Sequence, residues 1–181
     1  IMTGGTLDLN NDSRNGGEPV RIPDGFGLII NNGSAVQSAL NVVTDGGNHT
    51  FSGVIADGNN GVLAGDNYSA GATPQGPGYQ IGVVNIGSGG DSGSTWTLAG
   101  DNTYSGSTRI DGGTIVKLAG NHSLGLPTLT GSLTGPLRIQ NGCALDLNGR
   151  NQTLALMTAG ASGGKIYNSA VGKGSTLTVA Y

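Results

Sequence analysis

The chain repeats short phrases without copying them, and this constrains its fold more than any single motif does. Thr50-Phe51-Ser52-Gly53 returns as Thr103-Tyr104-Ser105-Gly106, and Gly5-Thr6-Leu7-Asp8-Leu9-Asn10 returns as Cys143-Ala144-Leu145-Asp146-Leu147-Asn148. Gly112-Gly113-Thr114-Ile115-Val116 follows the second Thr-aromatic-Ser-Gly phrase, so apolar alternation keeps following the same glycine punctuation. Degenerate repeats of this kind point to stacked architecture, in which each unit hides its apolar face only by lying on its neighbour.

Composition narrows the choice. Thirty-six glycines in 181 residues interrupt nearly every stretch before two helical turns can form, and no window sustains apolar residues at helical spacing. Disorder is disfavoured as well, because net charge is only -3 and the apolar residues, 35% of the chain, cluster in alternating runs. Strand signals are short and frequent: Leu28 to Ile30, Leu40 to Val43, Val83 to Ile86, Trp96 to Leu98, Thr108 to Ile110, Leu137 to Ile139, Leu154 to Met157 and Thr176 to Val179. Between them lie Asn32-Gly33, Asp45-Gly46, Asp57-Gly58, Asp111-Gly112 and Asn141-Gly142, pairs that accept positive φ and turn the chain sharply. Hairpins of an antiparallel sandwich use the same pairs. Strand and turn recur as a unit here, which favours a single all-β solenoid domain over residues 1–181, with about eight coils of roughly 20 to 25 residues. At about 4.8 Å per coil the stack is on the order of 40 Å long. Asparagine side chains are expected to ladder at the turns. Leu145, Leu147 and Leu154 are expected inside, with Asp146 outside by strand alternation.

The stretch from Thr95 to Ile115, reading TWTLAGDNTYSGSTRIDGGTI, resembles the autotransporter-associated β-strand repeat of bacterial secreted passenger proteins. Gly142 to Leu154 is similar to the segment that follows this repeat, and Asn48 to Gly58 to the one that precedes it. The resemblance implies a right-handed parallel β-helix exported to, or released from, the surface of a Gram-negative-type bacterium. It implies no activity, no cofactor and no catalytic or metal-binding residue. The role expected is structural or adhesive.

Catalytic look-alikes do not change that expectation. Gly90-Asp91-Ser92-Gly93 has the form of a serine-protease nucleophile phrase, yet it sits in a Gly/Ser run without a suitably framed histidine. Ser162-Gly163-Gly164-Lys165 fits S-x-x-K, but its glycines remove the helix that aims the lysine. His49 and His122 occur in Asn-His-Thr and Asn-His-Ser, a recurring turn context rather than a zinc site. Asp57, Asp66, Asp91 and Asp101 lie in loops rich in oxygen donors without completing a calcium loop. The acids mostly precede glycine or asparagine, as turn formers do, and Glu18 is the single glutamate. A polysaccharide-binding or polysaccharide-degrading β-helix is the alternative, because carboxylates from successive coils can align. The lone Cys143 reads as a small buried hydrophobe.

Partners follow from the same residues. No basic cluster suits nucleic acid and no apolar run reaches the roughly 20 residues of a membrane span. A β-helix with bare ends offers unpaired strand edges, so other copies of the chain or flanking β-helix repeats are expected against Met2, Leu7 and Leu9 at one end and Leu177, Val179 and Tyr181 at the other. Contact that does not close on itself builds a filament. The segment from Gly65 to Tyr79, with Tyr68, Pro74, Pro77 and Tyr79, is the expected place for contact with a surface glycan or a cell receptor.

Overall fold

Parallel strands cannot be joined by tight hairpins; the chain must travel away and come back before it pairs with itself again. In this protein the return path is made of other strands. The computed structural model describes residues 6–8, 28–31, 38–42, 46–57, 81–87, 93–104, 106–120, 122–125, 137–154, 156–159 and 163–179, and every regular element among them is a strand. In chain order they are β1 (Thr6–Asp8), β2 (Leu28–Asn31), β3 (Ser38–Val42), β4 (Asn48–Phe51), β5 (Val54–Asp57), β6 (Ile81–Ile86), β7 (Thr95–Leu98), β8 (Ser107–Ile110), β9 (Ile115–Leu118), β10 (Leu137–Ile139), β11 (Ala144–Asp146), β12 (Gln152–Leu154), β13 (Met157–Ala159), β14 (Lys165–Tyr167) and β15 (Leu177–Val179).

All pairings are parallel, and they sort the strands into three faces of one parallel β-helix. The second face is the sheet β3-β6-β8-β10-β13, and the third is β4-β7-β9-β11-β14. The first face holds β1-β2-β5 at one end and β12-β15 at the other. The chain therefore runs first face, second face, third face, and climbs one rung. On the third face the strands begin at residues 48, 95, 115, 144 and 165. The expected coil length holds for the steps to β9 and to β14, and it is exceeded where residues 58–80 and 126–136 intervene. Among the described residues five rungs stand on the second and third faces.

The core is a set of ladders. Strand alternation puts Trp96 and Leu98, Thr108 and Ile110, and Val116 and Leu118 inside, with their neighbours only partly covered. In-register pairing stacks Leu40 on Val84 and Val42 on Ile86 on Ile110 on Ile139, so like side chains meet along the axis. Fully burying each such side chain contributes roughly 1.5–3 kcal/mol. Thr108 is the polar rung in one ladder. Its Oγ1 lies 2.5 Å from the hydroxyl of Tyr104, and both side chains are buried. Leu145, Leu147 and Leu154 are buried as expected.

Between β5 and β12 the described residues put no regular strand on the first face, and side chains carry the connection there. Asn102 is fully buried: its Oδ1 accepts from Ile55 N at 2.8 Å on the rung below, and its Nδ2 donates to Ser123 O at 2.6 Å on the rung above. Thr103 N donates to Ile55 O at 2.9 Å, and Asn102 N to His122 O at 3.1 Å. One rung higher, Leu124 N donates to Gln152 Oε1 at 3.4 Å. On the second face, Asn85 Nδ2 donates to Asn41 Oδ1 at 2.6 Å, an asparagine ladder within strands β3 and β6 rather than at the turns where one was expected.

Corners need glycine where coils touch. A Cβ on Gly100 would lie 1.7 Å from Gly53 O on the rung below, inside the atom itself. Asp111-Gly112-Gly113-Thr114 closes a turn through Thr114 N to Asp111 O at 3.1 Å, with both glycines at positive φ as a type I′ turn requires. Asp57 holds another junction: its Oδ1 accepts from Ile81 N at 2.7 Å, joining the end of β5 to the start of β6 across residues 58–80.

The structure corrects three expectations. The two Thr-aromatic-Ser-Gly phrases are not equivalent, because Phe51 lies on the third face, paired with Leu98, while Tyr104 lies on the first. Leu154 to Met157 is not one strand but the corner between β12 and β13. Asp146 is 3% exposed rather than solvated, because the chain after β14 folds back over it.

Two outcomes follow. Asn102→Ala should leave Ile55 N and Ser123 O without partners, at about 1–3 kcal/mol each, read by urea denaturation. Burial, opposed by the Thr108 hydrogen bond and aided by the Asp57 charge, raises the Tyr104 phenol above its ordinary range. The folded state then keeps a proton that the unfolded chain loses at about pH 10, so stability declines as pH rises past that value. In Tyr104→Phe that alkaline decline should be markedly flatter in denaturant titrations.

Candidate functional site

The chemically active side chains are occupied by structure. Besides Asp57, Asp146 accepts from Ser169 N at 2.9 Å, Ser169 Oγ at 2.5 Å and Asn148 N at 3.0 Å. Asp111 lies 2.7 Å from Arg109, and Asp101 lies 2.6 Å from His122 Nδ1 on the surface. His49 and His122 are not equivalent, in contrast to their similar local sequence: His49 lies within β4 and stacks on Trp96 at 4.6 Å, while His122 pairs with Asp101 on the rung below. Cys143 is a buried free thiol. Among the described residues no group of three or more His, Cys, Asp or Glu gathers to hold a metal, and no helix is long and apolar enough to cross a membrane.

What stands out is the last rung. On the second face Leu137 is 1% exposed beneath β13, while its partner Met157 in β13 is 42% exposed. On the third face Leu145 is buried beneath β14, while its partner Ile166 is 37% exposed. Leu156, Tyr167 and Val171 are exposed beside them, so the large apolar side chains that meet water among the described residues all belong to this terminal region. The ladder positions are the same as those inside, and only the covering rung differs. Partial burial, and then the nearby Asp146 carboxylate, raise the Tyr167 phenol above its ordinary value. The first face is one step further built, because β15 already lies on β12 and Leu177 packs on the core.

One circuit of the helix runs from β7 on the third face, through Asn102 to Tyr104 on the first and β8 on the second, to β9 back on the third. This circuit has a family assignment. Residues 92–116 match the family profile of the passenger-associated-transport-repeat. This segment resembles an autotransporter passenger repeat. The match is short, but its limits enclose that single circuit, and the repeat therefore corresponds to one coil together with the parts that let coils stack: Gly100, Asn102, Tyr104 and the Gly112-Gly113 turn. A passenger repeat marks an exported or surface-associated protein. No curated protein and no solved structure matches the chain.

Of the residues singled out in the sequence, Leu7 lies in β1 opposite Ile29, and Leu177 and Val179 lie half-buried in β15. Met2, Leu9 and Tyr181, and the four residues Tyr68, Pro74, Pro77 and Tyr79, lie outside the described residues. Leu156, Met157, Ile166, Tyr167 and Val171 are additions from the structure. Alternation identifies Ile166 as inward, but nothing local to the residue says that its rung is the uncovered one.

A lysine pair tests the assignment. Ile166→Lys should cost less than about 1 kcal/mol because its ammonium reaches water, whereas Val116→Lys, two rungs below on the same ladder and fully buried, should cost more than about 4 kcal/mol. Urea midpoints of the two variants should differ accordingly.

Proposed function

We propose that the chain is a non-catalytic structural module of an exported bacterial passenger, a rigid length of β-helix whose terminal rung receives a further coil of parallel strands. The observation that carries this is the exposure of Met157 and Ile166 at positions whose partners one rung below, Leu137 and Leu145, are sealed. A Gram-negative-type cell surface is the setting that accompanies such a passenger. The non-enzymatic reading draws support from Asp57, Asp101, Asp111 and Asp146, each of which already holds a partner within the protein.

The order of the faces sets what a covering coil has to supply. With β15 in place on the first face, the strands still wanted are one on β13 and then one on β14. A flanking coil of the passenger, continuing from the first face to the second, fits in phase.

Appending a second copy of residues 107–118, which is β8, its turn and β9, directly behind Tyr181 supplies strands in that order. Two residues separate β12 from β13, as many as follow Val179. Backbone amides of β13 and β14 should then exchange hydrogen at least about 10-fold more slowly, a gain of about 1.4 kcal/mol in local protection. The same segment placed ahead of Ile1 should leave them unchanged. Unaltered exchange with the appended coil, or protection in the parent chain that grows with protein concentration, would replace the flanking coil with self-association or with no occupant at all.

A further inference from the structure

In-register pairing on the outer side of the second face brings Asn41, Asn85, Arg109, Arg138 and Thr158 into one row along the helix axis. Neighbours in such a row sit about 4.8 Å apart, so the two guanidinium stems stand side by side on adjacent strands. Like charges directly opposite each other repel. Asp111 relieves only one of them: it lies 2.7 Å from Arg109 Nε, whose buried N–H is not aimed at the carboxylate, so the contact is Coulombic rather than a hydrogen bond. Arg138 makes no ion pair and no side-chain hydrogen bond among the described residues. The chain as a whole is acidic, at -3, yet this row concentrates two cations against one anion.

We infer that Arg138 and Arg109 form a binding site for an oxyanion, a carboxylate or sulfate group of an acidic polysaccharide lying along the outer row of the second face. An anion placed between the two guanidiniums removes their repulsion and takes charge-assisted hydrogen bonds from both, the geometry for which arginine is suited. Apart from Asp111, the flanking groups are neutral: Asn85 within the row, and Ser107 and Gln140, whose positions alternate to the same side of β8 and β10. Amides and a hydroxyl around one charge pair suit a polymer of hydroxyls that carries isolated anions. Nucleic acid, with a phosphate at every residue, calls for a longer cationic track. The site rests on the β-helix itself and on the exported setting that brings glycans within reach, and it is independent of what covers the terminal rung.

The test is binding of the purified 181-residue chain to immobilised polygalacturonate, dextran sulfate and unmodified dextran at low salt. Binding to polygalacturonate assigns a carboxylate, binding to dextran sulfate assigns a sulfate, and unmodified dextran should not bind. Arg138→Gln should weaken binding at least about 10-fold, the worth of one lost charge-assisted bond. Lys165→Gln, an equal change in charge on an exposed residue of the third face, should alter it by less than about 2-fold. Asp111→Asn frees Arg109 and should strengthen binding about 2- to 5-fold, a gain that misfolding cannot imitate. Equal losses from Arg138→Gln and Lys165→Gln, no gain from Asp111→Asn, or binding to neither anionic polymer overturns the site while leaving the structural reading, which hydrogen exchange reports, untouched.

Discussion

The buried amide of Asn102 does for one coil of the first face what a strand does for the coils of the other two faces. A parallel β-helix satisfies its backbone between rungs, so a rung that lacks strand geometry threatens both neighbours with unpaired amides and carbonyls. Asn102 supplies an acceptor to Ile55 N below and a donor to Ser123 O above, and Ser123 Oγ in turn donates to Leu98 O at 2.9 Å. The first face thereby bends into the short corners that Gly100 and Gly120 permit without losing its vertical connection. The cost of this arrangement is concentrated in one side chain, whereas elsewhere it is spread over a ladder of weak, interchangeable bonds.

The match of the passenger repeat to a single circuit places that amide in context. Its residues are spaced to turn three corners and return to the starting face. Stability in such a stack is close to a sum of neighbour terms, so the residues that join rungs matter more than those that merely fill them. Tyr104 and Thr108 show this on a smaller scale: two hydroxyls from adjoining faces of one coil satisfy each other inside an apolar ladder, which locks the corner between the faces.

The architecture was legible in the sequence because alternation and glycine punctuation are local signals. Strand identity, the Asp111-Gly112 and Asn141-Gly142 turns, and the burial of Leu145, Leu147 and Leu154 all follow from them. Phase was not legible. Phe51 and Tyr104 sit in the same phrase, yet one is on the third face and the other on the first, because each face is built with the same strand grammar. Asp146 alternates correctly but is buried by Ser169, more than twenty positions away in sequence. The candidate surfaces depend on that missing phase. Recognising Ile166 as uncovered requires knowing that its rung is last on its face, and Arg109 and Arg138 become neighbours only through the register of β8 with β10.

The bond from Ile81 N to Asp57 has a consequence for how such a chain can change. It ties the end of β5 directly to the start of β6, two points 24 residues apart in sequence. Loop closure grows costly only slowly, by roughly 0.6 kcal/mol for each doubling in length. With these two strand ends pinned by a carboxylate, a change in the number of residues between them costs little while the ladders above and below keep their register. Asp57 thus separates the part of the molecule that must be conserved in geometry from a part free to diversify.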